Sequence, residues 1–281
     1  MNTGGPIDEG LRDKYERLKS AIRPHERVIV AFSGGVDSSL VAYVAAETLG
    51  SGALAVTSGS ASLKRSDLSL ASELAERWGM AHEVIVTDEL SKPDYRANPI
   101  DRCFHCKTSL YDALAAMARE RGFVKIMNGT NCDDLGDHRP GLVAAEQHQV
   151  ASPLVEAGFS KADVRALAAH LGLENAQKPQ AACLSSRFPY GSHISEERLA
   201  QVERAENILA ELGFSQYRVR HHEDVARLEL ALEDMPRALT LAAEIDRRVR
   251  ACGYRFVAMD LKGFESGSLN QGVIRLKRVG N

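Results

Sequence analysis

A strand, a glycine-serine turn and a helix can be read in one unbroken stretch, RVIVAFSGGVDSSLVAYVAAETLG, from Arg27 to Gly50. The run VIVAF has the length and side chains of a buried parallel strand, and the apolar period after SGGVDSS is that of a helix. Two glycines let the backbone approach a ligand closely. The first-turn N–H groups of the helix and the serine hydroxyls then point at an anion. Ser33, Gly34, Gly35, Ser38 and Ser39 are therefore expected to donate to phosphates. No lysine follows the glycines, so this is not the Gly-x-x-x-x-Gly-Lys-Ser/Thr loop of enzymes that cleave at the γ-phosphate. Asp37 would repel phosphate by itself, so it is expected to hold a bridging Mg²⁺.

Downstream, the apolar runs ALAVTS (53–58), HEVIV (82–86) and KIMNG (125–129) alternate with helical periods over 38–49, 64–78 and 103–121. An amphipathic helix over 9–22 precedes the first strand. This alternation predicts an α/β fold with a doubly wound parallel sheet. Right-handed crossovers place the C-terminal strand ends on one edge, where ligands bind. SGGVDSS, Thr57, Ser58 and NGTN (128–131), with Gly129, all fall there. Thr57 and Ser58 are candidates to face the nucleoside, against the plainer reading of loop residues. The segment 178–192, with two prolines, a glycine and no period, reads as an active-site loop joining two domains. A helix over 195–212, strands over 216–222 and 225–231, a helix over 236–251 and a strand over 254–261 then suggest a smaller α+β domain. The expected domains are 1–182 and 183–281, the second binding substrate and carrying oligomer contacts.

With 281 residues, 44% hydrophobic and 26% charged, the chain can build one good core and a smaller second one. A net charge of −3 lacks the average basic surface of nucleic-acid binders, so such a partner is not expected. The polar start MNTGGPIDEGLRDKYERLK resembles neither a signal nor a transit peptide, no long apolar run suits a membrane, and a cytoplasmic protein is expected. Five cysteines then read as thiols, ligands or nucleophiles rather than a disulfide framework.

Three further groups of residues carry chemistry. NGTNCDDLGDHRPG (128–141) is dense in turn formers and carboxylates; Gly129 and Thr130 end a strand, Asp133, Asp134 and Asp137 add acid, and Arg139 adds a fork for an anion. Its plain reading is a solvated loop. Cys103 and Cys106 form a Cys-x-x-Cys at an expected helix start, and Cys183 lies in ACLSSR. The pair alone fits a redox couple, half a zinc site or two unrelated thiols. Three thiolates with one open position suit an iron–sulfur cluster. Cys132 and Cys252 read as small buried hydrophobes. Arg187 follows Cys183 by four residues, while Arg218 and Arg220, with His222, share one strand face that could hold a phosphate or carboxylate, or simply be covered by long side chains. Glu229 could balance them.

The string SGGxDS resembles the PP-loop of the ATP pyrophosphatase superfamily, whose members cut ATP between the α and β phosphates. Together, SGGVDSS, RCFHCK, GTNCDDLGDHRPGL, SPL (152–154), ACLSSRFPYG and YRVRHH resemble the LarE family over about Val28 to Leu261. LarE proteins are ATP-dependent sulfur transferases of nickel-pincer cofactor synthesis. The resemblance implies an adenine nucleotide alpha hydrolase-like fold, ATP and Mg²⁺ as cofactors, and a homo-oligomer. It implies a pyridinium dicarboxylate mononucleotide as the substrate, adenylylated at a carboxylate and converted to a thiocarboxylate. One variant of the family gives up the sulfur of a cysteine matching Cys183. The other carries extra cysteines, here Cys103 and Cys106, and is expected to hold a 4Fe–4S cluster with Cys183 that delivers sulfide from a sulfur donor. Arg187, Arg218 and Arg220 would bind the phosphate and carboxylates of the substrate. Cys132 departs from the pattern.

Other readings compete. A tRNA thiolase also couples a PP-loop to cysteines, but the acidic balance counts against it. An adenylylating amidotransferase or synthetase would need no Cys-x-x-Cys, and no glutaminase nucleophile is visible. A regulatory protein without catalysis is at odds with an intact SGGVDSS.

Overall fold

The structure is a computed structural model that describes residues 7–136, 140–179 and 182–265. The chain runs α1 (Glu9–Ile22), β1 (Val28–Ala31), α2 (Val36–Leu49), β2 (Ala53–Ser58), α3 (Arg65–Arg77) and β3 (His82–Ile85). It continues through the single turn α4 (Pro93–Arg96), then α5 (Arg102–Arg121), β4 (Lys125–Met127), α6 (Pro140–Gln147), the single turn α7 (Pro153–Glu156) and α8 (Lys161–His170). The last third holds α9 (Glu196–Glu211), β5 (Tyr217–His222), β6 (Val225–Leu230), α10 (Met235–Thr240), α11 (Ala242–Ala251) and β7 (Phe256–Met259). These elements fold as two compact units, Met1–Glu89 with Asp101–Ala181, and Leu90–Ile100 with Ala182–Asn281.

In the first unit four parallel strands stand in the order β3-β2-β1-β4. Val28, Ile29 and Val30 are almost fully buried because helices cover both faces of the sheet. Side chains alternate between the faces along β1. Val28 and Val30 join the core of α1, α2 and α8 with Leu18, Leu40, Val44 and Leu167, whereas Ile29 joins Tyr111, Leu114 and Ala144 of α5 and α6. The α2 helix packs against α1, α8 and the sheet, which explains why Val36, Leu40, Val41, Val44 and Ala45 are apolar on nearly every side. The parallel, helix-flanked sheet is the one expected from the alternation of strands and helices.

The second unit has a mixed sheet in the order β5-β6-β7, with β5 antiparallel and β7 parallel to β6. Its core gathers Leu209, Val219, Leu228, Leu230, Ile245, Val249 and Tyr254. The helix expected over 236–251 is interrupted at Leu241. There the Thr240 hydroxyl donates to the Arg237 carbonyl at 2.7 Å, and the Leu241 N–H turns to the carbonyls of Arg237 and Ala238. A side-chain bond to a nearby carbonyl competes with helix continuation. The segment Leu90–Ile100 reaches this unit through Gly191 N–H to Asn98 O and Ile194 N–H to Arg96 O, both 2.9 Å. Among the described residues no helix is long and apolar enough to cross a membrane.

Candidate functional sites

The SGGVDSS turn lies between β1 and α2 in the first unit. Gly34 has φ +69°, a left-handed conformation, and a Cβ there would stand 3.2 Å from Ala71 Cβ, so glycine is required twice over. Gly35 is the N-cap of α2, and the first-turn N–H groups of that helix lack intrahelical partners by geometry. Ser38 Oγ donates to Gly35 O at 3.0 Å and accepts from Ser33 N at 3.1 Å, and it stands 3.0 Å from Ser33 Oγ. The serines thus hold the turn in shape. Ser33 is exposed at its mouth, whereas Ser39 is fully buried and its hydroxyl accepts from Asn175 Nδ2 at 2.7 Å. Ser39 therefore braces the loop and does not face an incoming phosphate. The same Asn175 amide donates to Gly34 O at 2.9 Å.

Asp37 is partly exposed. Its carboxylate accepts from Asn131 Nδ2 at 3.1 Å and from the Lys161 ammonium. Magnesium is commonly held by one or two carboxylates with phosphate oxygens and water completing the shell, so Asp37 fits as the protein ligand once phosphates are present. Gly129 approaches the same turn so closely that a Cβ would lie 2.5 Å from Ser38 N. Its part is to let two backbones meet. Asn128 Oδ1 accepts from Thr130 N and Ser152 Oγ, both at 3.0 Å, which ties NGTN to the SPL string. Asp133 Oδ2 accepts from Lys161 N at 2.8 Å. Asp137 and Arg139 lie outside the described residues.

Thr57 departs from the expectation of a nucleoside contact. It is 1% exposed, donates to Phe32 O at 2.8 Å and is 2.9 Å from His82 Nε2. With the hydroxyl proton used, the ring nitrogen must be the donor. Burial lowers the pKa of His82. Ser58 Oγ pairs with Thr87 Oγ1 at 2.7 Å and is partly exposed.

Cys103 and Cys106 lie at the start of α5, three residues and about one turn apart, Cys103 exposed and Cys106 partly so. Residues at that spacing share a helix face, so the donor set of two soft thiols fits an iron or zinc ion. Cys183 belongs to the second unit. Among the described residues no group of three or more His, Cys, Asp or Glu side chains is gathered as a metal-ligand set. Cys132 and Cys252 are each partly exposed, not buried as expected, and burial still raises the Cys252 pKa.

In the second unit, Cys183 is the partly exposed N-cap of a tight turn, Leu184–Arg187. Three arginines, one in this turn and two on β5, are not equivalent. Arg187 grips buried Glu206 with Nε at 2.8 Å and Nη2 at 3.2 Å, and its Nη1 donates to Ala182 O, Cys183 O and Ser186 Oγ. Arg220 grips buried Glu229 twice at 2.9 Å, and its Nη1 donates to Ser186 O at 2.6 Å. Losing one member of such a pair leaves a buried charge, at a cost of about 3–5 kcal/mol. Arg187, expected to bind an anionic group of the substrate, thus has Nε, Nη1 and Nη2 committed to protein groups that shape the Cys183 turn. Arg218 differs. It is 9% exposed, donates only to Glu265 O at 3.4 Å and stacks 4.7 Å from the Phe264 ring, with no carboxylate partner among the described residues. Burial, then neighbouring Arg187 and Arg220, lower its pKa. His222 sits on the same strand face but is exposed, accepting from Arg227 Nε at 3.2 Å.

The reading of the sequence placed Asn131, within NGTN, at the ligand edge without its pairing to Asp37, and missed Lys161 and Asn175, because nothing local marks a residue that reaches a loop about a hundred positions away. It also missed Glu206, an acid on an otherwise ordinary helix. Tyr95, whose hydroxyl meets Ser185 Oγ at 2.6 Å, was equally silent.

Residues 15–127 match the asparagine synthase family. The chain is 42% identical over 263 residues to an uncharacterized protein of Synechocystis, covering 93% of this chain and 98% of that one. A tRNA-specific 2-thiouridylase of Azorhizobium caulinodans is 33% identical over 195 residues, 54% of this chain and 49% of that one. The pyridinium-3,5-bisthiocarboxylic acid mononucleotide synthase of Lactiplantibacillus plantarum is 38% identical over 261 residues, 92% of this chain and 95% of that one. With nearly its whole length aligned at that identity, and with the turn, the cysteine and the arginines described above, this chain belongs to the family of that synthase, the LarE family of PP-loop enzymes.

Proposed function

We propose that the protein is an ATP-dependent sulfur transferase that adenylylates a carboxylate of a pyridinium dicarboxylate mononucleotide and replaces AMP with sulfur. The observation that carries this reading is Arg218, a buried guanidinium without a carboxylate partner among the described residues, beside the Cys183 turn. A buried cation with no carboxylate hydrogen-bonded to it is costly, although nearby Glu229 and Glu206 offset part of its charge, and an anionic substrate would supply a direct partner. The chemistry follows in two steps. A substrate carboxylate oxygen bonds to the α-phosphorus as the bond to pyrophosphate breaks, and the poor electrophile becomes an acyl adenylate with AMP as leaving group. Sulfur then adds to that carbonyl, AMP departs, and a thiocarboxylate remains. Asp37 would hold the Mg²⁺ that neutralises the phosphates.

In this reading Cys103, Cys106 and Cys183 ligate a 4Fe–4S cluster, and Cys183 survives turnover. When bound, that cluster would supply an open iron that presents sulfide. The two thiols one turn apart on α5 support it.

The test adds pyridinium-3,5-dicarboxylic acid mononucleotide, ATP and Mg²⁺ to anaerobically purified protein. Pyrophosphate release that depends on the mononucleotide, with a product heavier by the exchange of oxygen for sulfur, is expected. Release that depends instead on tRNA would move the protein to the tRNA thiolases. About four irons with matching sulfide per chain supports the cluster; a colourless, active protein whose Cys183 has lost H₂S rejects it in favour of a sacrificed cysteine.

A further inference from the structure

A loop from the far end of the first unit reaches under the phosphate turn. Asn175 lies 141 positions from Gly34 and 136 from Ser39 in the chain, and it is 4% exposed. Its Nδ2 donates to Gly34 O at 2.9 Å and to Ser39 Oγ at 2.7 Å, so both amide hydrogens are used on the turn. Gly34 O can only accept, so the amide nitrogen and not Oδ1 must face it. Oδ1 is buried and has no hydrogen-bond partner among the described residues. The loop that carries Asn175 is itself fixed. Arg165 of α8 donates to Ala176 O at 2.9 Å and to Lys178 O at 3.1 Å. The Lys178 ammonium pairs with Asp67 of α3 at 2.8 Å, and the Lys178 N–H returns to Asn175 O at 2.9 Å. Ala176 packs in the same core as Ala71, the residue that faces Gly34.

We propose that Asn175 is the positioning residue of the phosphate turn: it sets the plane of the peptide between Gly34 and Gly35 and so aims the Gly35 N–H at the bound phosphates. Gly34 turns at φ +69° and has no side chain to lock the peptide that follows it. That peptide is trans, and in a planar trans peptide the carbonyl of one residue and the N–H of the next point in opposite directions. Asn175 draws the Gly34 carbonyl inward, so the Gly35 N–H is turned outward, to the side of exposed Ser33. There it meets Ser33 Oγ at 3.4 Å. An ordinary N–H···O bond spans about 2.7–3.2 Å, so an anion outcompetes this contact. Ser39, the second anchor, stops the Asn175 amide from rotating. Without the amide, the glycine would be free to turn the peptide and present an oxygen to the phosphates. A peptide aimed in advance needs no reorganisation as negative charge grows on the departing pyrophosphate. Aspartate would not serve, because a carboxylate would face the Gly34 carbonyl with no hydrogen to donate. This role rests on the nucleotide reading of the turn and extends it to a residue outside every motif of the sequence.

The experiment measures binding of α,β-methylene-ATP with Mg²⁺, and separately of adenosine, to the full chain and to Asn175→Ala and Asn175→Asp. At about pH 8 both variants should bind the analogue about tenfold or more weakly, while adenosine, which has no phosphate, stays within about twofold. The pH profile separates aiming from mere support. A buried carboxyl that faces a carbonyl keeps its proton well above the usual carboxylate range. Once protonated, the side chain of Asn175→Asp regains one donor for Gly34 O, since Ser39 has a hydroxyl proton of its own. Its affinity relative to wild type should recover as pH falls toward about 6, whereas Asn175→Ala stays equally weak at both values. Wild-type analogue affinity in Asn175→Ala would overturn the inference. So would an equal loss for adenosine and the analogue, because Asn175 would then hold up the whole site, and so would a loss in Asn175→Asp that ignores pH. A variant lost to misfolding is recognised by far-UV circular dichroism, and the other variant then decides. A wild-type chain that binds neither ligand overturns the nucleotide reading itself, and is recognised from the wild-type measurement alone.

Discussion

Gly129 shows how much one missing side chain can decide. The residue sits where the end of β4 meets the first turn of α2, and a Cβ would fall 2.5 Å from Ser38 N and 2.8 Å from the Asp37 carbonyl carbon. Both are backbone atoms that cannot rotate away. Gly129→Ala should therefore lower stability by about 1–3 kcal/mol, the range for overpacking, and disturb Asp37 at the same time. Urea unfolding with and without ATP measures both, and an alanine variant with wild-type midpoint and wild-type ATP stabilisation would show the turn to be more compliant than the geometry allows. At this scale the sequence was informative about types and poor about roles. Glycine at 129, serine at 39 and arginine at 187 stand out by type, with the expectation that they meet a ligand. The structure uses all three to build the cradle: Gly129 by close approach, Ser39 by accepting from Asn175, and Arg187 by gripping Glu206 and the carbonyl of Cys183. Residue type announces that a position matters, whereas its partner decides how.

At the scale of elements, α8 sets the position of Lys161. Ser160 Oγ accepts from Asp163 N at 3.2 Å, and Asp163 Oδ2 accepts from Ser160 N at 2.8 Å, so two otherwise orphaned donors are satisfied at once. Ser160→Ala should cost about 1 kcal/mol, read from chemical denaturation. No loss of stability in that variant would mean that the pair with Lys14 holds the helix start by itself. The other elements were mostly legible. The period placed β1, β2, α1, α2, α3 and α5 within a few residues, because buried strands and helices with long apolar faces leave unambiguous patterns. The break between α10 and α11 was not legible. It depends on one threonine hydroxyl choosing the carbonyl of Arg237, and a period of apolar residues does not register that choice.

Across the whole molecule, each unit carries a histidine whose charged form is disfavoured by burial. Burial lowers the pKa of His82 and of His221 from 6.5, and Arg198 adds to the effect at His221. His221 is 2% exposed, and its Nε2 has no hydrogen-bond partner among the described residues while Nδ1 meets Tyr254 Oη at 3.1 Å. The unfolded chain takes up these protons below its ordinary pKa and the folded chain resists them. Their contribution is thus complete above that value and is lost as pH falls through it toward the lower folded values. The melting temperature should drop between about pH 7 and about pH 5, well above the range where carboxylates titrate; a flat profile there would show that both rings protonate without strain. What the sequence by itself determined is the α/β unit, the phosphate turn and the family, because strand and helix periods, a seven-residue loop and spaced cysteines are local or nearly local signals. Only the tertiary structure decided which arginines are already paired, that Arg218 has no hydrogen-bonded carboxylate among the described residues, that Thr57 turns inward to His82, and that Lys161 meets Asp37. Those facts are pairings between residues far apart in the chain, and the free energy of a buried charge or hydroxyl depends on its partner rather than on its neighbours in sequence.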